Sequence, residues 1–137
     1  MPVVSSAHLV SNLFDRSAVK QSGTRDGYGA GLVELGKQDK RVVVLCADLS
    51  ESTRSHLFQQ AFPERYVQVG VAEQNLITAG AGLAAVGKIP FMSSYAAFSP
   101  GRCWEQIRTT FGYNHLHGIV VGAHAGVSVG PDGATHQ

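Results

Sequence analysis

Glu73 is the only charged side chain in the stretch VQVGVAEQNLITAGAGLAAVG, Val67 to Gly87. It stands where an apolar run gives way to a helical pattern, and carboxylates are seldom buried without a partner. One use for it is structural: a first-turn Glu complements the positive end of the helix dipole. The other is chemical. Apolar surroundings favour the neutral carboxyl, the helix N-terminus favours the carboxylate, and a group balanced between them can pass a proton in both directions.

Other polar residues are stranded in glycine-rich or apolar surroundings. They fall in TRDGYG (Thr24 to Gly29), ADLSES (Ala47 to Ser52), SSYAAF (Ser93 to Phe98) and HAGVSVGPDGATHQ (His124 to Gln137). The last holds two histidines and Asp132 among Gly126, Gly130 and Gly133, a composition suited to a loop shaped around a ligand. Taken alone, Arg25 reads as a solvated residue at a helix start, and Tyr95 as an aromatic filling the core after a strand.

Other patterns carry less chemistry. GAGLAA (Gly80 to Ala85) satisfies a dinucleotide-binding spacing, but it lies about two turns inside a helix starting near Glu73, not at a strand-to-helix turn. Its small residues are better read as close packing, with a tight subunit interface as one use. His115 and His117 have the spacing to share one strand face, yet no Cys or carboxylate cluster accompanies them, so no metal site is assigned. His8 and His56 read as surface residues. No G-x-S-x-G turn supports a nucleophilic triad. Cys46 and Cys103 form no CxxC pair, and Cys46 reads as a small buried hydrophobe.

An alternating chain positions these groups. Strand-like runs occur at Val42 to Asp48, Arg65 to Val71, within Lys88 to Phe98, and at Gly118 to Gly126. Helical patterns fall at Thr24 to Lys37, Thr53 to Phe62, Glu73 to Val86 and Arg102 to Thr110. The expectation is an α/β fold with a mainly parallel sheet and helices on both faces. Residues 1–22 form an N-terminal arm and 23–137 the domain, whose end after a Gly-rich turn is expected to leave it C-terminally incomplete. Glu73, Tyr95 and His124 lie at or just past strand C-terminal ends, where open α/β sheets bind ligands.

The 137 residues suffice for one domain with a core. Charged residues are only 15%, against 44% hydrophobic, so another chain is expected to cover part of the surface. The net charge of +1 and the lack of a basic run argue against nucleic acid or an anionic membrane as partner. No apolar run is long enough to span a bilayer. Polar residues break up the N-terminus, and a cytoplasmic protein is expected.

FPERYVQVGVAEQN, GLAAVGKIPFMSSYAAF, WEQIR and HAGVSVGPDGATHQ follow one another in an order and spacing that resemble the pyrimidine-binding domain of transketolases, from about Thr24 to Gln137. The resemblance is strongest to transketolases divided into two polypeptides. It implies thiamine diphosphate as cofactor, with Glu73 hydrogen-bonding N1′ of its aminopyrimidine. That contact favours the imino tautomer, whose 4′-nitrogen takes the thiazolium C2 proton. Tyr95 matches the aromatic that stacks on the aminopyrimidine, and Phe98 a second pocket aromatic. Arg25 and Ser52 match residues holding the substrate phosphate. Asp132 and His136 match residues holding hydroxyls of the donor ketose, and His124 a histidine beside the reacting carbonyl. Glu73, His124 and His136 are thus the implied catalytic set. Arg102 also aligns with a family Arg, without an assigned role.

By the same resemblance, the reaction moves a two-carbon ketol unit from a ketose phosphate to an aldose phosphate. Mg²⁺ or Ca²⁺ and the diphosphate are expected on a partner chain, because the family's GDG…N motif does not occur in this sequence. An assembly with two copies of each chain is expected. Glu51 and Leu49 depart from the commoner residues beside Ser52. Rival readings are a 1-deoxyxylulose-5-phosphate synthase, a 2-oxo acid dehydrogenase β subunit and a non-catalytic binding module. The first usually has an Arg near the position of His124, and the second typically lacks HAG…DGATHQ. The third does not explain Glu73, Tyr95, His124 and His136 together.

Overall fold

A computed structural model describes residues 9–137. His8 and the first residues of the N-terminal arm lie outside the described residues. Residues 9–22 form short turns, in which Asp15 Oδ1 accepts from the backbone and hydroxyl of Ser17 at 3.0 and 2.6 Å. Leu9 and Phe14 stand exposed on this segment.

The five-residue VVVLC strand β1 (Val42–Cys46) is buried along its whole length, as a central strand covered on both faces must be. It pairs in parallel with β2 (Tyr66–Gln68) on one side and β3 (Ile89–Tyr95) on the other. β4 (Ile119–Ala123) pairs in parallel with β3, giving the order β2-β1-β3-β4. Alternation along β1 divides the core. Val42 and Val44 pack with Leu32 of α1 (Thr24–Gln38) and Phe58 of α3 (His56–Ala61). Val43 and Leu45 pack on the opposite face with Leu76, Ile77 and Ala81 of α4 (Glu73–Ala85). The parallel sheet with helices on both faces is therefore the one expected.

Three elements differ from expectation. The single helix foreseen at Thr53 to Phe62 is two, α2 (Ser50–Thr53) and α3, divided at Arg54, whose φ is 65°. Buried Thr53 donates its hydroxyl to the Leu49 carbonyl at 2.8 Å, and Arg54 leaves the helix line to meet Asp26 at 2.7 Å. The strand foreseen at Arg65 to Val71 pairs only over Tyr66–Gln68, at the sheet edge, because Pro63–Arg65 make a 3₁₀ turn before it and Gly70, with a φ of 72°, breaks the extended backbone after it. The last helix begins as α5 (Trp104–Gln106) and widens into a π-helical turn over Ile107–Gly112. There Thr109 and Thr110 hydroxyls bond back to the Glu105 and Gln106 carbonyls, at 3.0 and 2.5 Å. His115 and His117 precede β4 and share no strand face.

Arg65 ties the edge strand to α1. Its guanidinium donates to the Gly36 carbonyl at 2.9 Å, near the helix C-terminus, and lies 4.0 Å from the Phe62 ring centre. No helix among the described residues is long and apolar enough to cross a membrane.

Candidate functional site

All four strands run the same way, so their C-terminal ends gather the chain's unusual residues at one edge. Tyr95 ends β3, and its partner Ala123 ends β4, so His124 emerges beside the turn that follows Tyr95. His124 adopts a left-handed φ of 52°. Gly122 makes room for that turn: a Cβ there would lie 2.8 Å from the Ser99 carbonyl. Only a glycine lets the Ala96 to Ser99 backbone settle on β4, and that backbone carries Phe98.

The result is an aromatic cluster. The Tyr95 and His124 rings are 4.4 Å apart at 31°, and Phe98 lies 6.4 Å from Tyr95 at 14°. His136 meets the edges of both, 6.1 Å from Tyr95 and 5.1 Å from Phe98. Thr135 Oγ1 lies 2.8 Å from His136 Nδ1, leaving Nε2 as the ring nitrogen free of that contact. Tyr95 is buried, and Phe98 is partly open. His124 Nδ1 is buried without a hydrogen-bond partner among the described residues, which is costly unless a ligand or water serves it.

On its other side, His124 borders a cavity of about 480 Å³, also lined by Thr24, Arg25, Tyr28, Val121 and Ser128. Arg25 leans across it and donates to the Ser52 carbonyl at 3.4 Å. Beneath the cavity, Tyr28 Oη and Ser93 Oγ lie 2.6 Å apart. Burial pushes the Tyr28 phenol up to about 12, despite its bond to Ser93.

Glu73 opens α4 and is only 3% exposed. Arg102 Nη1 donates to its Oε2 at 2.9 Å, and the same guanidinium lies 5.0 Å from the Phe98 ring centre. Oε1 has no hydrogen-bond partner among the described residues. A hollow of about 270 Å³ lies here, bounded by Val71, Ala72, Glu73, Asn75 and Arg102. Burial first, and then the Glu73 charge, push the nearby Cys103 thiol up.

Three groupings thus arise from distant parts of the chain: Arg25 with Ser52, Tyr95 with Phe98, His124 and His136, and Glu73 with Arg102 and Phe98. Asp132 is not drawn in. It is exposed, and its carboxylate makes no hydrogen bond among the described residues. His56 is half-buried, with Nδ1 3.3 Å from the Ser50 carbonyl, rather than a free surface residue. Sequence reasoning left the partner of Glu73 unnamed. A signal was present: beyond Glu73 the only Lys or Arg residues are Lys88, Arg102 and Arg108.

A family model described as the pyrimidine binding domain of transketolase matches residues 20–137. The chain belongs to the transketolase family. A protein of Methanocaldococcus jannaschii, described provisionally as a transketolase C-terminal section, is 53% identical over 115 residues, covering 84% of this chain and 36% of its own length. The 6-deoxy-6-sulfo-D-fructose transketolase subunit SqwH of Clostridium sp. is 41% identical over 113 residues, covering 82% of this chain and 35% of its own. A solved structure titled as a split gene transketolase, inactive beta4 tetramer, superposes with a TM-score of 0.63 at 52% identity, over 69% of this chain and 31% of that one. The chain therefore spans about a third of the length of these transketolase relatives.

Proposed function

We propose that this chain is the pyrimidine-domain subunit of a two-chain, thiamine diphosphate-dependent transketolase. It would transfer a two-carbon ketol unit from a ketose phosphate such as xylulose 5-phosphate to an aldose phosphate such as ribose 5-phosphate, the glycolaldehyde transfer of the pentose phosphate pathway. The observation that carries this reading is Glu73: a carboxylate buried at a helix start, with one oxygen unengaged, linked through Arg102 and Phe98 to a cluster of flat rings.

These residues suit an aminopyrimidine. A carboxyl oxygen left open to the hollow can meet a ring nitrogen, and Tyr95 and Phe98 give near-parallel rings, the second lying under the Arg102 guanidinium that holds Glu73. The cofactor supplies, when bound, the nucleophilic carbon for the transfer. This chain's residues do the rest. Glu73 holds or shares a proton at the ring nitrogen. His124, between the aromatic cluster and the Arg25 cavity, reaches the carbonyl oxygen of a sugar and donates to it as negative charge develops. Arg25 meets the anionic end of the sugar in the cavity, with Ser52 beside it. His136, and Asp132 from the flanking 3₁₀ segment, meet the donor's hydroxyls.

The diphosphate and its Mg²⁺ belong, in this reading, to a partner chain, with two copies of each chain in the active assembly. The split-gene title of the solved neighbour supports a divided enzyme, and its "inactive beta4" description supports the need for a second chain. The Clostridium relative, named for a sulfosugar, favours a second donor class. Sulfonate and phosphate are both compact oxyanions that an Arg fork accepts.

The test is to co-express this chain with a diphosphate-domain partner and add thiamine diphosphate and Mg²⁺. Two-carbon transfer is then assayed from xylulose 5-phosphate and from 6-deoxy-6-sulfofructose. Activity with either donor that disappears in Glu73→Gln supports the reading and selects the substrate class. Full turnover in Glu73→Gln sinks it.

A further inference from the structure

The Glu73 carboxylate is almost wholly withdrawn from water, and a buried charge requires a partner of opposite sign. Its partner is selected by position as well as charge. Lys88 lies just before β3, at the far end of the sheet, and Arg108 is turned to the Trp104 ring, 4.8 Å from its centre. Arg102 stands at the right edge, and its backbone is anchored there. Its N–H donates to the Phe98 carbonyl at 3.0 Å, and the neighbouring Cys103 N–H donates to the Pro100 carbonyl at 2.9 Å. The Phe98 ring lies beneath the guanidinium, and the side chain is 52% exposed along the hollow beside Glu73.

The contact is one-sided. Arg102 engages Oε2 alone, and Oε1 remains without a partner among the described residues. A carboxylate free to rotate would present either oxygen to a ligand. Here Oε2 is committed to Arg102, which leaves Oε1 for a ligand.

We infer that Arg102 is a positioning residue for Glu73: its guanidinium holds Oε2, braced on Phe98, so that Oε1 faces the nitrogen of the bound heteroaromatic ring. This rests on the reading of Glu73 as the ring's partner and adds to it a device for aiming the carboxyl group. Lysine would restore the charge but not the planar fork that both stacks on Phe98 and donates to Oε2.

The test uses the assembled two-chain enzyme with Mg²⁺, and reads thiamine diphosphate affinity by calorimetry alongside steady-state kinetics. Arg102→Ala is expected to weaken cofactor binding about tenfold, the scale of one charge-assisted hydrogen bond. It should lower kcat by about as much, with the sugar KM values changed less than about twofold. Arg102→Lys should recover part of both losses. Adding Arg102→Ala to Glu73→Gln should cost little beyond Glu73→Gln alone, because the two act as a unit. If Arg102→Ala fails to assemble, Arg102→Gln, which keeps a planar donor, makes the same comparison. Unchanged affinity and kcat in Arg102→Ala would overturn the inference. Tighter cofactor binding would also overturn it, since Arg102 would then be a competitor for Glu73. The two layers separate cleanly. Loss of function in Glu73→Gln with no effect of Arg102→Ala removes only the positioning role, whereas an intact Glu73→Gln enzyme removes the functional reading beneath it.

Discussion

The imidazole of His124 rests on the ring of Tyr95, their centres 4.4 Å apart, and the parallel register of β3 and β4 is what puts it there. Tyr95 closes β3 opposite Ala123, so the next residue of β4 must turn over the tyrosine ring. The left-handed backbone of His124 makes that turn, and its Nδ1, without a partner among the described residues, is buried in the process. The same residue is a wall of the cavity that Arg25 enters. One side chain therefore borders both a flat apolar surface and a cationic pocket, the two surfaces that the proposed transfer would use.

His124→Asn is the informative substitution at this place. Asparagine tolerates a left-handed φ better than most residues, so the backbone turn should persist while the imidazole is lost. Turnover in the assembled enzyme is expected to fall on the order of 10²-fold, the effect of removing one donor to a developing oxyanion. The midpoint of thermal unfolding should stay within a few degrees of the parent. A variant that unfolds early, with the turnover of its folded fraction unchanged, would assign His124 to packing instead.

The small residues of α4 divide into two classes that a stability measurement can separate. A Cβ on Gly80 would collide with Met92 Sδ in the fully buried core, whereas a Cβ on Gly82 meets nothing within 4 Å. Gly80→Ala is expected to destabilise the chain by about 1–3 kcal/mol through overpacking, in spite of alanine's better helix propensity. Gly82→Ala should stabilise it by up to about 1 kcal/mol. Urea unfolding of the two variants checks both signs. If Gly82→Ala stabilises the isolated chain yet weakens the two-chain assembly, this helix face lies against another subunit.

Local pattern made much of this fold legible. The run Val42 to Asp48 read as a near-continuous apolar strand, and β1 occupies its first five residues, while Glu73 marked the start of α4 because an apolar run broke there on a single acid. Glu73, Tyr95 and His124 could be placed at strand ends for the same reason. What the pattern did not contain was pairing across the sheet. Glu73 and Arg102 meet only because α4 begins at the edge where β3 ends and its following turn lies, and apart from the scarcity of basic residues after Glu73 no local pattern pairs them. The break at Arg54 was hidden too, since neither Gly nor Pro marks it; buried hydroxyls and the Asp26 ion pair decide it. Asp132, conspicuous in a glycine-rich loop, stays exposed, because its 3₁₀ segment makes few contacts that would turn its side chain inward.

Tyr28 gives the fold a dependence on alkaline pH. Its phenol ordinarily titrates near 10, and burial beneath the Arg25 cavity raises it to about 12. Below pH 10 it is neutral in folded and unfolded chains alike, and its stabilising contribution is complete. Between pH 10 and about 12 the unfolded chain ionises while the folded chain does not, so stability falls as pH rises. The loss across that window is roughly 2–3 kcal/mol. Tyr28→Phe removes this titration, and with it the hydroxyl that meets Ser93 at 2.6 Å. Near neutrality the variant should be about 1 kcal/mol less stable than the parent, the net worth of a hydrogen bond. Above pH 10 its stability should fall less steeply, with Tyr66, also raised by burial, leaving a residual slope. Denaturant unfolding from pH 8 to 11 measures both terms, and parallel curves for parent and variant would show that Tyr28 does not control the alkaline limb.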